Sequence, residues 1–278
     1  MKKKILFCLA AIAMFGCSGE DAATVDINQN NFKAFLSTGR QLNTVTSQDG
    51  DVYAFENNQI ISYTYGSGEY VYDYTYNNDG QLSGMIGKDA VGTVFFTRTV
   101  GYDNDGRIIA KNDAYINTLQ NSTKTENVVY IYNNDNSVTA DFTSYDDTVK
   151  DRIYYFNAQG KVSHITINDE IVQQMTYTAN NITVMGNTDY LYDESTPVKG
   201  HYNNMYTNQF SSYKNFVVYN GFMLAGNVSD KYLVRIDENP GEHGDVDYQY
   251  IFNDEGYPVQ VDGSSLFANH STFYITYK

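Results

Sequence analysis

The chain predicts an all-β protein, an antiparallel meander of repeated hairpins that is strongly twisted and curls toward a barrel, with at most one or two short helices. Three observations lead there. Tyrosine is unusually abundant, with 27 Tyr and 15 Phe but no Trp among 278 residues. Aromatic residues alternate with polar ones at period two, as in Tyr70-Val71-Tyr72-Asp73-Tyr74-Thr75-Tyr76, which places four tyrosines on one face of a strand. A segment that ends in aromatics, turns on Asx and Gly, and restarts on an apolar residue recurs along the chain.

The repeat reads Tyr74-Thr75-Tyr76-Asn77-Asn78-Asp79-Gly80-Gln81-Leu82 in its clearest form. Copies follow at Gly101 to Ile108, Tyr130 to Val138 (Asn136 replacing Gly), Tyr154 to Val162 and Tyr250 to Val259, with a weaker start at Tyr190-Leu191-Tyr192-Asp193. Tyr53 to Ile60 is an early copy one residue shorter. Tyr76, Tyr102, Tyr132 and Phe156 lie 26, 30 and 24 residues apart, so one period holds two strands and two turns. At roughly 11 to 13 residues per strand and turn, about 16 to 20 strands are expected. A sheet much wider than about ten strands curls rather than staying flat.

The amino terminus has a separate design. Residues 1–16 read as a signal peptide: Lys2, Lys3 and Lys4 precede an apolar run of eleven, Ile5 to Phe15. That run is too short for a membrane span, and no later one approaches about 18 residues. Met14-Phe15-Gly16-Cys17 resembles the lipobox of bacterial lipoproteins. The resemblance implies cleavage before Cys17 and acylation of its thiol and new amino terminus. Two or more acyl chains hold a protein firmly where one holds only marginally. Ser18 in place of Asp resembles outer-membrane sorting, and Glu20-Asp21 resembles the surface-export signal of Bacteroidota lipoproteins. Residues 17–30 are then the lipidated cysteine and a tether, and residues 31–278 a single β-repeat domain, opening with one short helix over 31–39. Cys8 leaves with the signal and Cys17 is consumed by lipid, which excludes disulfides and thiolate chemistry in the mature chain. The net charge of −15, or −18 once the three lysines are removed, argues against nucleic acid as a partner.

Two families resemble the repeat region. Gly101-Tyr102-Asp103 through Gly106-Arg107-Ile108 is similar to the YD repeat of RHS proteins, with too few copies to enclose a shell. The closer match is to Bacteroidota outer-membrane lipoproteins with a porin-like β fold and a domain of unknown function. The lipobox, the Tyr-x-Tyr-Asn-x-x-Gly hairpins and the close from Leu224 to Leu233 and Tyr248 to Val259 carry it. It implies an architecture over most of residues 50–278 and supplies no catalytic residues.

Chemistry is harder to find. Asp103-Asn104-Asp105-Gly106 has the look of a calcium loop, but its twelfth position is Ala114 where an EF-hand needs Glu, and turn chemistry explains the same residues. His164, His201, His243 and His270 include no pair at zinc-ligand spacing, and no Gly-x-Ser-x-Gly elbow accompanies them. No metal or other cofactor is expected. Asp147-Thr148-Val149 fits a short O-glycosylation pattern with Thr148 as acceptor. The favoured reading is a surface-exposed, non-catalytic binding module for a glycan or an envelope protein, held to the outer membrane by lipid. The ligand-binding residues are left open. The stretch 199–247 is the expected location of a site: about 199–231 breaks the rhythm, as one more hairpin or a helical insert, 238–247 reads as a loop, and irregular loops carry function. A structural or accessory subunit of an envelope complex is the alternative. A glycoside hydrolase comes third, needing two close carboxylates or a Ser beside a His.

Overall fold

The fold follows from what each hairpin does with its backbone groups. The computed structural model describes residues 40–57, 59–117, 119–144, 151–158, 162–178, 181–193, 195–196, 233–238, 245–265 and 271–278. These include eighteen strands. The first nine are β1 (Leu42–Ser47), β2 (Val52–Glu56), β3 (Gln59–Tyr65), β4 (Tyr70–Tyr76), β5 (Leu82–Asp89), β6 (Val94–Tyr102), β7 (Ile108–Asn117), β8 (Ser122–Tyr132) and β9 (Ser137–Ser144). The rest are β10 (Arg152–Phe156), β11 (Val162–Ile167), β12 (Glu170–Thr178), β13 (Asn181–Met185), β14 (Thr188–Tyr192), β15 (Leu233–Glu238), β16 (Val246–Phe252), β17 (Pro258–Ser265) and β18 (Ser271–Tyr277). Every strand pairs antiparallel with its sequence neighbours, and β18 pairs back onto β1 through Val45 opposite Ile275. The meander therefore closes into a barrel, which leaves no edge strand in the ring. One 3-10 turn, Gly66–Gly68, is the only helical element among the described residues. The expected strand number and fold class are both borne out.

The repeat turns share one design. Asp103 N–H donates to the Arg107 carbonyl at 2.9 Å and Gly106 N–H to the Asp103 carbonyl at 3.0 Å. The Asp103 side chain in turn accepts from the Asp105 and Arg107 amides at 3.0 and 2.8 Å. Asn77 and Asn253 play the same part in their own turns. The closing residue has positive φ, +73° at Gly106 and +61° at Asn136, which explains why only Gly or Asn stands there. The Asp-rich tips that look like calcium ligands in sequence are thus turn acceptors. Adjacent turns are also stitched sideways, with Gln59 and Gln81 side chains donating to the carbonyls of Gly80 and Gly106.

The tyrosine that ends six of the outgoing strands has a definite task. Tyr102 O–H donates to the Leu82 carbonyl, Tyr76 to Ile60, Tyr132 to Ile108, Tyr177 to Val162, Tyr192 to Ile182 and Tyr277 to Pro258, all within 2.8 to 3.0 Å. Each accepting carbonyl lies at the start of the strand just before, where the ladder between the two strands has already stopped. The β5–β6 ladder, for instance, ends at Gly84 opposite Thr99, short of Leu82 and Tyr102. The hydroxyl satisfies a carbonyl that the ladder leaves over. Phe156 is an exception that follows the same rule. The β9–β10 ladder runs on to Ser137 opposite Tyr155, and the Phe156 amide itself reaches the Asn136 carbonyl, so no hydroxyl is called for.

Side chains divide by face. The lumen side holds Leu42, Val45, Phe55, Ile60, Ile108, Val128, Val138 and Tyr154, all nearly or fully buried. They fall into two clusters, one along β5 to β12 and one joining β1 to β3 with β17 and β18, and Tyr74 packs against both. The outer face mixes Thr97, Thr99, Asn112, Asn127, Asp141 and Asp262, and ion pairs such as Lys88–Asp73 at 2.7 Å, with exposed apolar residues such as Ile86, Val129, Ile131, Leu191 and Ile251. Charges on the lipid face of a spanning barrel cost about 2–4 kcal/mol each at mid-bilayer, so the charged positions of the described wall suit contact with water.

Tyr102→Phe removes one hydroxyl and leaves the Leu82 carbonyl unsatisfied. It should cost about 1 kcal/mol in chemical denaturation and a few degrees of Tm, while Phe156→Tyr should gain nothing.

Candidate functional site: an aromatic rung in the barrel lumen

Register assembles the site. Tyr53 lies opposite Tyr63, Tyr63 opposite Tyr72, Tyr72 opposite Gly87, Gly87 opposite Phe96, Phe96 opposite Tyr115, and Tyr115 opposite Lys124. One continuous rung of lumen-facing positions therefore crosses β2 to β8. The Tyr53 and Tyr63 rings stack at 4.4 Å and 5°, and Tyr63 and Tyr72 at 5.8 Å and 15°. Phe96 and Tyr115 continue the row at 5.2 Å.

Gly87 interrupts the row for a steric reason. A Cβ there would lie 3.0 Å from the Phe95 and Tyr72 rings and 3.1 Å from the Phe96 Cβ. Its absence lets the Phe95 ring fold in, edge-on to Tyr72 at 5.6 Å and to Tyr70 at 5.3 Å. Beyond the rung, away from the repeat turns, Tyr65 and Tyr70 face each other across the β3–β4 hairpin, 6.1 Å apart and tilted by 38°. These two remain 47% and 40% exposed, so aromatic surface at the barrel mouth is open to a ligand.

Beneath the rung lies a charged layer. Arg98 donates from Nε and Nη2 to the two carboxylate oxygens of Asp113, each at 2.6 Å, and both residues are buried. Lys111 sits 3.2 Å from both Asp113 and Glu126, so two cations meet two anions. The Arg98 guanidinium also lies 5.6 Å from the Phe96 ring centre, a cation–π contact that props the rung from below. Removing one member of such a buried set typically costs about 3–5 kcal/mol, because its partner is left charged and dry.

The phenols are donors rather than bases. Burial, outweighing its other contacts, lifts the Tyr63 hydroxyl to about 12, and burial likewise raises Tyr72 and Tyr74. Tyr63 O–H donates to Asp51 Oδ2 at 3.1 Å, and Asp51 Oδ1 accepts from the Gly66 amide at 2.9 Å, which anchors the mouth hairpin.

Two arrangements bear on the hydrolase alternative. Ser163 Oγ lies 3.0 Å from His164 Nδ1, but its own proton is directed to the Tyr155 carbonyl at 3.1 Å. The imidazole ring stacks flat on Tyr155 at 4.4 Å on the outer face. Asp237 and Asp245 meet on the outer face, where desolvation first and Asp245 second raise the Asp237 carboxyl, while Arg235 pairs with Asp245. Among the described residues no group of three or more His, Cys, Asp or Glu is placed to hold a metal ion.

Cys17, Ser18, Glu20, Asp21, Thr148, His201, His243 and His270 lie outside the described residues, as do the short helix over 31–39 and most of the 199–247 stretch. The rung, by contrast, joins residues from seven strands. Period-two patterning shows that Tyr70 to Tyr76 share a face, but only register reveals that Tyr53, Phe96 and Tyr115 share a level with Tyr72.

Gly87→Ala should destabilise the barrel by about 1–3 kcal/mol and weaken the near-ultraviolet tyrosine dichroism, because the Phe95 and Tyr72 rings and the Phe96 Cβ must give way to one methyl. The raised phenols make a second, pH-linked prediction. Their contribution to stability is complete below the ordinary tyrosine value of 10 and is lost as pH climbs toward about 12, since only the unfolded chain ionises in that window. Phenolate absorbance should rise in two phases, the second coinciding with loss of β dichroism. A single phase near 10 would contradict the buried rung.

No family model matches the chain, and no curated protein does. Among solved structures the chain is similar to a porin-like protein from Bacteroides uniformis ATCC 8492, at 10% identity and a TM-score of 0.31, over 82% of this chain and 77% of that one. It is also similar to TcdB2-TccC3 without its hypervariable C-terminal region, at 13% identity and a TM-score of 0.28, over 81% of this chain but only 10% of that one. Likenesses this distant assign no function, and the barrel described above rests on its own strand register.

Proposed function

We propose that the chain is a non-catalytic binding protein, tethered to the bacterial outer membrane through Cys17, whose aromatic barrel mouth takes a glycan. The observation that carries this reading is the row Tyr53-Tyr63-Tyr72-Phe96-Tyr115 with Tyr65 and Tyr70 left open at its mouth. Tyrosine offers an apolar ring for the C–H face of a sugar and a polar tip for its hydroxyls. Protonated phenols donate but do not abstract protons, which suits binding rather than turnover. The charged positions of the outer wall fit a body held beside a membrane by lipid, not one embedded in it.

The test is a glycan-binding screen on the full-length protein purified in mild detergent, with Tyr65→Ala/Tyr70→Ala as the paired variant. Binding that weakens about tenfold in the variant, equivalent to about 1.4 kcal/mol, supports the reading. Wild-type binding that survives unchanged in the variant places the ligand elsewhere. Absence of any glycan binding would overturn the proposal. Metabolic labelling with a fatty acid, lost in Cys17→Ser, checks the anchor.

A further inference from the structure

Charge around the mouth narrows the ligand class, an inference that rests on the glycan reading above. Tyr65 and Tyr70 flank the Gly66–Gly68 turn, followed directly by Glu69. Glu69 Oε2 folds back over that turn, lying 3.4 Å from where a Cβ on Gly66 would sit. Asp51 reaches the same turn through the Gly66 amide, and Asp89 lies opposite Tyr70 in register. Three carboxylates thus lie around the two open rings; Asp51 and Asp89 also accept within the fold, from Tyr63 and Gly66 and from the Val91 and Thr93 amides, which leaves Glu69 as the carboxylate turned to the ligand. The basic residues of the adjoining strands are engaged elsewhere: Lys88 pairs with Asp73 on the outer face, and Arg98 pairs with Asp113 below the rung.

We infer that the mouth formed by Tyr65, Tyr70, Asp51, Glu69 and Asp89 selects uncharged saccharides and rejects acidic ones. A neutral pyranose lays its C–H face on the open rings while its hydroxyls donate to carboxylate oxygens, a charge-assisted bond stronger than a neutral one. A uronate or sulfated sugar brought to the same rings meets like charge, and among the described residues β3, β4 and the turn between them carry no basic side chain to receive it. Rejection should therefore ease as salt screens the acidic border, while binding of the neutral sugar stays insensitive to salt.

The experiment uses the full-length protein in detergent and two probe sets, neutral gluco-, manno-, galacto- and xylo-oligosaccharides against oligogalacturonate and a sulfated glycan, each at low and high salt. The expected result is binding of a neutral probe that is unchanged by salt and about tenfold weaker in Tyr65→Ala/Tyr70→Ala, with acidic probes bound at least tenfold more weakly. Glu69→Gln should narrow that gap, and unchanged β dichroism shows that the variants still fold. Acidic probes that bind as well as neutral ones, through the same tyrosines, would overturn the inference while leaving the glycan reading intact. Failure of both probe sets would remove the glycan reading itself, and this inference with it.

Discussion

A phenol hydroxyl at the end of six outgoing strands reaches back to a carbonyl at the start of the strand before it, and the wall depends on that contact. Six such bonds recur at 2.8 to 3.0 Å around the ring. Each stands where a ladder has run out, so it replaces a missing backbone bond instead of adding to a complete set. An unsatisfied buried carbonyl costs about 1–3 kcal/mol, a large share of the stability of any domain. Tyrosine suits the task because one side chain both packs its ring into the lumen and carries a donor at its tip. Phe156 can stand in this position because the neighbouring ladder continues far enough to leave no such carbonyl.

A second set of rings shapes the interior. Tyr53, Tyr63, Tyr72, Phe96 and Tyr115, none of them among the six stitching phenols, face the lumen at one level as a row. Gly87 and the Arg98–Asp113 pair adapt that row from two sides, one by leaving space for Phe95 and the other by filling the layer beneath with satisfied charge. An apolar core alone would serve stability as well or better, since buried ion pairs contribute little net energy. What the charged layer adds is a fixed level for Phe96, whose ring the guanidinium faces.

The wall around this interior mixes polar and apolar side chains. The rings pack against one another in the lumen, and charged pairs such as Lys88–Asp73 stand on the outer face. At the mouth, Tyr65 and Tyr70 continue the row into solvent while Asp51 ties their hairpin to Tyr63. Strand stitching, lumen packing and the open rings of the mouth thus draw on one residue type, which explains its abundance.

Much of this was readable before any coordinates. Alternation at Tyr70 to Tyr76, the Asx-Gly turns and the repeat spacing determined an antiparallel β meander, because strand period and positive-φ turns are local properties of the backbone. The Asp-rich tips were legible as turns for the same reason. Closure of β18 onto β1, the rung from Tyr53 to Tyr115 and the Arg98–Asp113 pair were decided only by tertiary structure. Each depends on register between strands, and a shift of one residue would turn every side chain to the opposite face. Bulges such as the one between Gly101 and Tyr102 set that register, and one extra residue in a ladder leaves no distinct mark on a sequence already rich in alternation.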